Sequence, residues 1–287
     1  MAENDNRDKQ STKKKLGKNI YGEMSFLEHL EELRWHIIRS VLAIFVLAIV
    51  AFIMKDFIFN TIILNPPNAD FWTNRMFAKL ADLVQIDAIR INEKELSLIS
   101  IKMADQFMVH IWTSIIAGFI LASPIVFLEF WKFIKPALYE KEKRHAAGAV
   151  FYTSVLFMLG VLFGYFLIVP LSINFLNSYN VSEQVVNQIN LKSYISTTVS
   201  IIIASGVSFL LPIFSYFLSK VGILTPEFMR RYRRHAYVLM LLLAAIITPP
   251  DVFSQIMVFI PLFFLYELGI FISKRVVKKR EKEFNEM

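Results

Sequence analysis

The sequence predicts an all-α integral membrane protein: six transmembrane helices, the last two short, forming a concave cup-like bundle. Three observations carry this. Of 287 residues, 55% are hydrophobic, and the mean hydropathy is +0.49, too apolar for a soluble domain of this size. The apolar residues are gathered into long blocks rather than patterned as soluble amphipathic elements. The lysines and arginines collect in alternate connections between those blocks, the distribution that orients a multi-span chain.

The elements follow in order. Residues 1–23 are a polar, mixed-charge tail with no apolar core, which predicts no cleavable signal and leaves insertion to the first apolar block. Residues 24–275 form the membrane domain, with spans at about 35–54, 107–128, 146–169, 194–218, 236–247 and 256–272, and residues 276–287 form a basic tail. Crossing roughly 30 Å of hydrocarbon takes about 20 helical residues, which the first four blocks supply and the last two do not. Pro249 and Pro250 follow the fifth block at once, and Asp251 and Ser254 sit in the small gap before the sixth. A tight turn between two short antiparallel helices accounts for this, with a re-entrant fifth segment as the alternative. Residues 55–104 are the largest extramembrane piece, where Phe71, Phe77, Leu80 and Val84 predict a short helix over the outer face. Pro124, Pro212 and Pro261 interrupt the second, fourth and sixth spans. Each removes a backbone donor, and helices bent this way would build a concave wall.

Orientation follows from charge. Basic residues crowd the N-terminal tail (Lys13, Lys14, Lys15, Lys18), the second connection (Lys132, Lys135, Lys141, Lys143, Arg144) and the fourth (Arg230, Arg231, Arg233, Arg234). They also crowd the C-terminal tail, whereas the third connection holds only Lys192 and the fifth none. Both termini are therefore expected in the cytoplasm, which requires an even number of spans. The net charge of +7 reads as topology, not as nucleic-acid binding. The absence of cysteine excludes disulfides, cysteine nucleophiles and thiolate metal sites. The sequence has no serine–histidine pair, no paired intramembrane aspartates and no H-E-x-x-H, so no enzyme, cofactor or metal is expected.

Two acidic groups stand out against this basic background. Ser25 and Glu28 make a capping box at the head of Met24–Arg39, with Phe26, Leu27, Leu30, Leu33 and Ile37 on one face. The polar face carries Glu28, Glu31 and Glu32, although anionic lipid favours lysine and arginine there. Glu28 reads as a helix-start acid, and Glu31 and Glu32 could pair with Arg34 and His36. A site for a guanidinium ligand is the sharper reading, because a carboxylate takes that group through two parallel hydrogen bonds. The second group, Glu140 and Glu142, sits among lysines in F-W-K-F-I-K-P-A-L-Y-E-K-E-K-R, Phe130 to Arg144, after Pro136 has ended the second span.

Three segments carry a family resemblance. H-L-E-E-L-R at His29–Arg34, the Phe130–Arg144 segment, and T-P-P-D-V-F-S-Q at Thr248–Gln255 followed by I-P-L-F-F-L-Y-E-L-G-I are similar to motifs of the TatC family, in its order. The resemblance covers residues 24 to about 275. It implies the signal-peptide receptor and core subunit of the twin-arginine translocase, in the bacterial cytoplasmic (inner) membrane. Such a protein binds the consecutive arginines of a folded precursor and works with TatA- and TatB-like single-span proteins in a multimeric, proton-motive-force-driven complex. By position, Glu32 and Glu142 match the arginine-contacting acids, with Leu33, Arg34, Phe133 and Pro136 shaping that site. Thr248 and Gln255 match the partner-docking positions, and Asp251 and Glu267 match further family positions. The chain departs from the family in the fourth span, where Leu210 and Leu211 precede Pro212 in place of the polar residue many members carry. A proton- or ion-coupled small-solute transporter is the alternative, resting on Arg39, Asp105, His110 and above all Glu267.

Overall fold

The computed structural model describes residues 26–93, 96–134, 146–182, 184, 187–247 and 252–285. Helix α1 (Phe26–Ile53) begins one residue after Ser25, and a π-helical turn, Phe57–Ile63, follows it. Helix α2 (Trp72–Val84) is the helix expected in the first connection, and α3 (Asp105–Ile134) is the second span. The third span is α4 (Ala146–Phe163), a π-helical turn (Gly164–Ile168) and α5 (Val169–Ser178). The fourth is split into α6 (Leu191–Ser208) and α7 (Leu211–Val221) by a turn just before Pro212. Helix α8 (Pro226–Arg231) precedes α9 (Arg233–Ile247) and α10 (Val252–Asn285).

Among the described residues five helical segments are long and apolar enough to cross a membrane: 30–53, 105–134, 148–178, 191–221 and 255–278. Helix α9 completes six. Its 15 residues rise only about 22 Å, short of the roughly 30 Å of hydrocarbon. The sixth span is longer than expected: its 24 residues, 255–278, suffice to cross, so only the fifth is short. The lysine- and glutamate-rich end of α10 favours helix, so α10 runs on to Asn285. The third span is the most enclosed, with 56% of its apolar window buried against 17% for the first. Val41, Leu42, Phe45 and Val46 on α1 stay more than half exposed, as lipid-facing side chains do.

Small residues set the crossings. A Cβ on Gly118 of α3 would fall 2.6 Å from the Ala48 backbone nitrogen of α1, so only glycine lets these helices approach so closely. Gly160 of α4 meets Ser205 and Gly206 of α6 in the same way. The pairs Ala48–Gly118 and His36–Glu129 make α1 and α3 antiparallel. Gln255–Leu241 and Arg233–Glu267 do so for α9 and α10, the antiparallel pairing expected of the last two spans. Trp131 fixes the end of α3 against two others, its Nε1 donating to Thr153 of α4 and its ring edge-on to Phe217 of α7.

At the far end, α2 packs on the third span. Its buried residues are Thr73, Asn74, Phe77 and Ala81, whereas Leu80 and Val84, expected on that face, are exposed. The polar pair is buried because it is matched. Pro170 has no N–H to give the Phe166 carbonyl four residues back, and the Thr73 hydroxyl donates there instead. Asn74 donates to the Pro66 and Asn68 carbonyls. A parallel pairing of β1 (Leu98–Ile99) with β2 (Ile189–Asn190) ties the first connection to the third.

Candidate functional site at the α1–α3 corner

Helix α1 continues unbroken from its acidic N-terminal turns into the first span, so its start is held by the same crossing that Gly118 permits. This brings the face of Glu32 and His36 against the end of α3. Leu30 and Ile37 point away and are exposed. Glu32 is half-buried, and its Oε2 is buried with no hydrogen-bond partner among the described residues. The expected local pairing is realised for Glu31, which lies 3.3 Å from Arg34, both well exposed. Such an exposed pair contributes well under about 1 kcal/mol.

His36 does not turn to Glu32, contrary to the pairing expected for it. Its Nδ1 lies 2.7 Å from Oε2 of Glu129 on α3. Arg39 Nη1 donates to the same oxygen at 3.3 Å, and Lys132 Nζ donates to Oε1 at 2.6 Å. The Glu129 side chain is only 5% exposed, so a buried acid gathers three donors. Phe133 packs edge-on to the His36 ring at 6.3 Å. The structure thus brings His36 and Arg39 of α1 together with Glu129, Lys132 and Phe133 of α3, with the half-buried Glu32 and Leu33 one turn earlier on α1. Glu142, Pro136, Thr248 and Asp251 lie outside the described residues, as does the Glu28 side chain.

Sequence reading missed Glu129, one residue before the Phe130 motif, because it stands in an apolar run. A usable signal was present. Lys132 follows it at helical pairing distance, and two further nitrogen donors, His36 and Arg39, occupy the adjacent span.

The other predicted residues are accounted for within the chain. Glu267 accepts from Arg233 Nη2 at 2.7 Å through one oxygen and from the Tyr237 hydroxyl at 2.6 Å through the other. His110 stacks on Phe52 at 3.9 Å with its Nε2 3.0 Å from the Phe52 carbonyl, and Asp105 is buried at the head of α3. Gln255 Nε2 donates to the Leu241 carbonyl at 3.2 Å, across the α9–α10 hairpin. Leu210 is buried in the core at the fourth-span turn.

These features define a multi-span helical membrane protein that pairs its ionisable groups between antiparallel helices. Residues 28–261 match the family described as Sec-independent protein translocase protein (TatC). The chain is 42% identical over 265 residues to the Sec-independent protein translocase protein TatC of Blattabacterium sp. subsp. Periplaneta americana (strain BPLAN), covering 92% of this chain and all of that one. It is 33% identical over 260 residues to the TatC of Aquifex aeolicus (strain VF5), covering 90% and 98%. A crystal structure of the twin arginine translocase receptor TatC in DDM superposes with a TM-score of 0.66 at 33% identity, over 86% of this chain and 99% of that one. The chain belongs to the TatC family. It is a multi-span membrane component of the bacterial twin-arginine translocase, a protein-transport complex, and not an enzyme.

Proposed function

We propose that this protein is the signal-peptide receptor and core subunit of its translocase, taking the Arg-Arg pair of a folded precursor at the α1–α3 corner. The observation that carries this is the Glu32 carboxylate: half-buried, one helical turn before the His36 that packs on Phe133, with one oxygen buried and unmatched among the described residues. A buried acceptor without a donor is costly, and an incoming guanidinium offers donors in the matching fork geometry. Glu142 supplies the second acid from the connection after α3, with Pro136 shaping that connection and Leu33, Arg34 and Phe133 framing the groove. Lysines beside Glu142 repel a stray cation, so selection rests on bidentate geometry rather than on a general acidic field.

Both termini face the cytoplasm across the bacterial inner membrane in this reading. Single-span partners of the TatA and TatB kind dock a polar side chain at Thr248 and Gln255, and the proton-motive force drives export by the assembled multimer. The small-solute transporter reading is not favoured, because Glu267 and His110 already have partners within the chain.

Site-specific photocrosslinking from positions 32 and 142 tests the receptor role. An Arg-Arg signal peptide should crosslink at both positions and a Lys-Lys peptide at neither. Equal labelling by the two peptides would move the receptor site elsewhere.

A further inference from the structure

We propose that Glu129 keeps the Glu32 carboxylate open for its ligand by holding the side-chain donors that would otherwise occupy it. The proposal rests on the reading of Glu32 as an arginine-contacting acid. It makes Glu129 a positioning residue that acts through its neighbours, with no contact to the signal peptide.

His36 follows Glu32 by four residues, the spacing at which helical side chains meet. Arg39 lies a further turn along the same helix. Left to α1 alone, Glu32 would be matched within its own helix. The structure shows the opposite division. Glu129, from the facing helix, takes His36, Arg39 and Lys132 at 2.7, 3.3 and 2.6 Å, while Glu32 Oε2 has no partner among the described residues. Burial separates the two acids as well. Glu129 is 5% exposed with both oxygens engaged, so a peptide guanidinium has no open acceptor there. Arg39 and Lys132 are 56% and 50% exposed, charges that a ligand approaching Glu32 will meet.

Neutralising Glu129 has two consequences. Arg39 and Lys132 remain at the corner without their counter-charge and repel a dicationic ligand. The His36 ring is released to turn one helical turn back to Glu32. Both lower the affinity for an arginine pair without removing any atom that touches it.

The test uses the full-length protein in detergent and measures binding of an Arg-Arg signal peptide at two ionic strengths. Glu129→Gln should weaken binding about tenfold at low salt, and the deficit should shrink to about twofold near roughly 0.5 M salt, because exposed charges are screened there. Adding Arg39→Gln and Lys132→Gln to Glu129→Gln should bring affinity back to within about threefold of wild type. Where Glu129→Gln fails to accumulate, Arg39→Gln with Lys132→Gln and an intact Glu129 should leave binding unchanged or tighter. Wild-type affinity in Glu129→Gln overturns the proposal. So does a loss that neither salt nor the triple variant relieves, which would make Glu129 a packing strut or a direct contact, and so does weaker binding in the Arg39→Gln, Lys132→Gln pair. Glu32→Gln, measured alongside, separates the failures. If it binds as wild type, the receptor reading falls and this proposal with it; if it loses affinity while Glu129→Gln does not, only this proposal falls.

Discussion

At the α9–α10 corner, Glu267 gives one carboxylate oxygen to Arg233 and the other to Tyr237, all within the chain. At the α1–α3 corner, Glu129 is closed in the same manner by His36, Arg39 and Lys132, yet Glu32, one turn from that cluster, keeps a buried oxygen unmatched among the described residues. Both corners hold a pair of antiparallel helices together through an acid, Glu129 near the end of α3 and Glu267 in the middle of α10. The difference teaches which acids are structural. A carboxylate whose oxygens all have donors has been used by the fold, and exchanging it changes stability. A carboxylate left partly unmatched calls for an explanation, and the proposed receptor role supplies one for Glu32.

Four tests break or sharpen this comparison. The largest effect is expected where the first corner is built. Gly118→Leu drives a side chain into the Ala48 backbone, whose nitrogen a Cβ would already approach to 2.6 Å. It should abolish both accumulation in the membrane and peptide binding, read by immunoblot and peptide pull-down. Normal accumulation with intact binding would show that the corner does not depend on this crossing.

The second test addresses the short fifth helix. At about 22 Å, α9 is shorter than the roughly 30 Å of hydrocarbon, a mismatch expected to thin the lipid locally at a cost of fractions of a kcal/mol per Å. Lengthening α9 by four leucines should reduce export several-fold in a transport assay and leave Arg-Arg peptide affinity untouched. Unchanged export would remove thinning at this site from the mechanism.

The third test is Glu267→Gln. It removes the charge that Arg233 answers, and should lower stability by about 1–2 kcal/mol in thermal unfolding, with peptide affinity within about twofold of wild type. An affinity loss as large as that of Glu32→Gln would erase the distinction between the two corners. The smallest effect is expected for Glu28→Gln, a helix-start acid, with export and affinity within about twofold of wild type.

Much of this was legible in the sequence. Block hydropathy placed all six apolar segments, because lipid demands unbroken apolar helix and the signal is local. Contacts made across the chain were not legible. The π-helical turn before Pro170 and the Thr73 hydroxyl that answers the Phe166 carbonyl depend on two segments 93 residues apart. The same holds for Glu129, whose meaning comes from α1 donors 93 and 90 residues away. Sequence motifs marked Glu32 as a candidate, but its unmatched oxygen became visible only once His36 was seen to face another helix.

The central claim, that Glu32 is held open for a signal arginine, is tested most directly by comparing the Arg-Arg peptide affinities of Glu32→Gln and Glu28→Gln, two acids of the same helix one turn apart. A hydrogen bond to a charged group contributes about 1.5–3 kcal/mol, so Glu32→Gln should bind roughly 10- to 100-fold more weakly than wild type, with unchanged stability, while Glu28→Gln binds normally. Equal affinities in the two variants would contradict the account and make the Glu32 carboxylate an ordinary solvated charge.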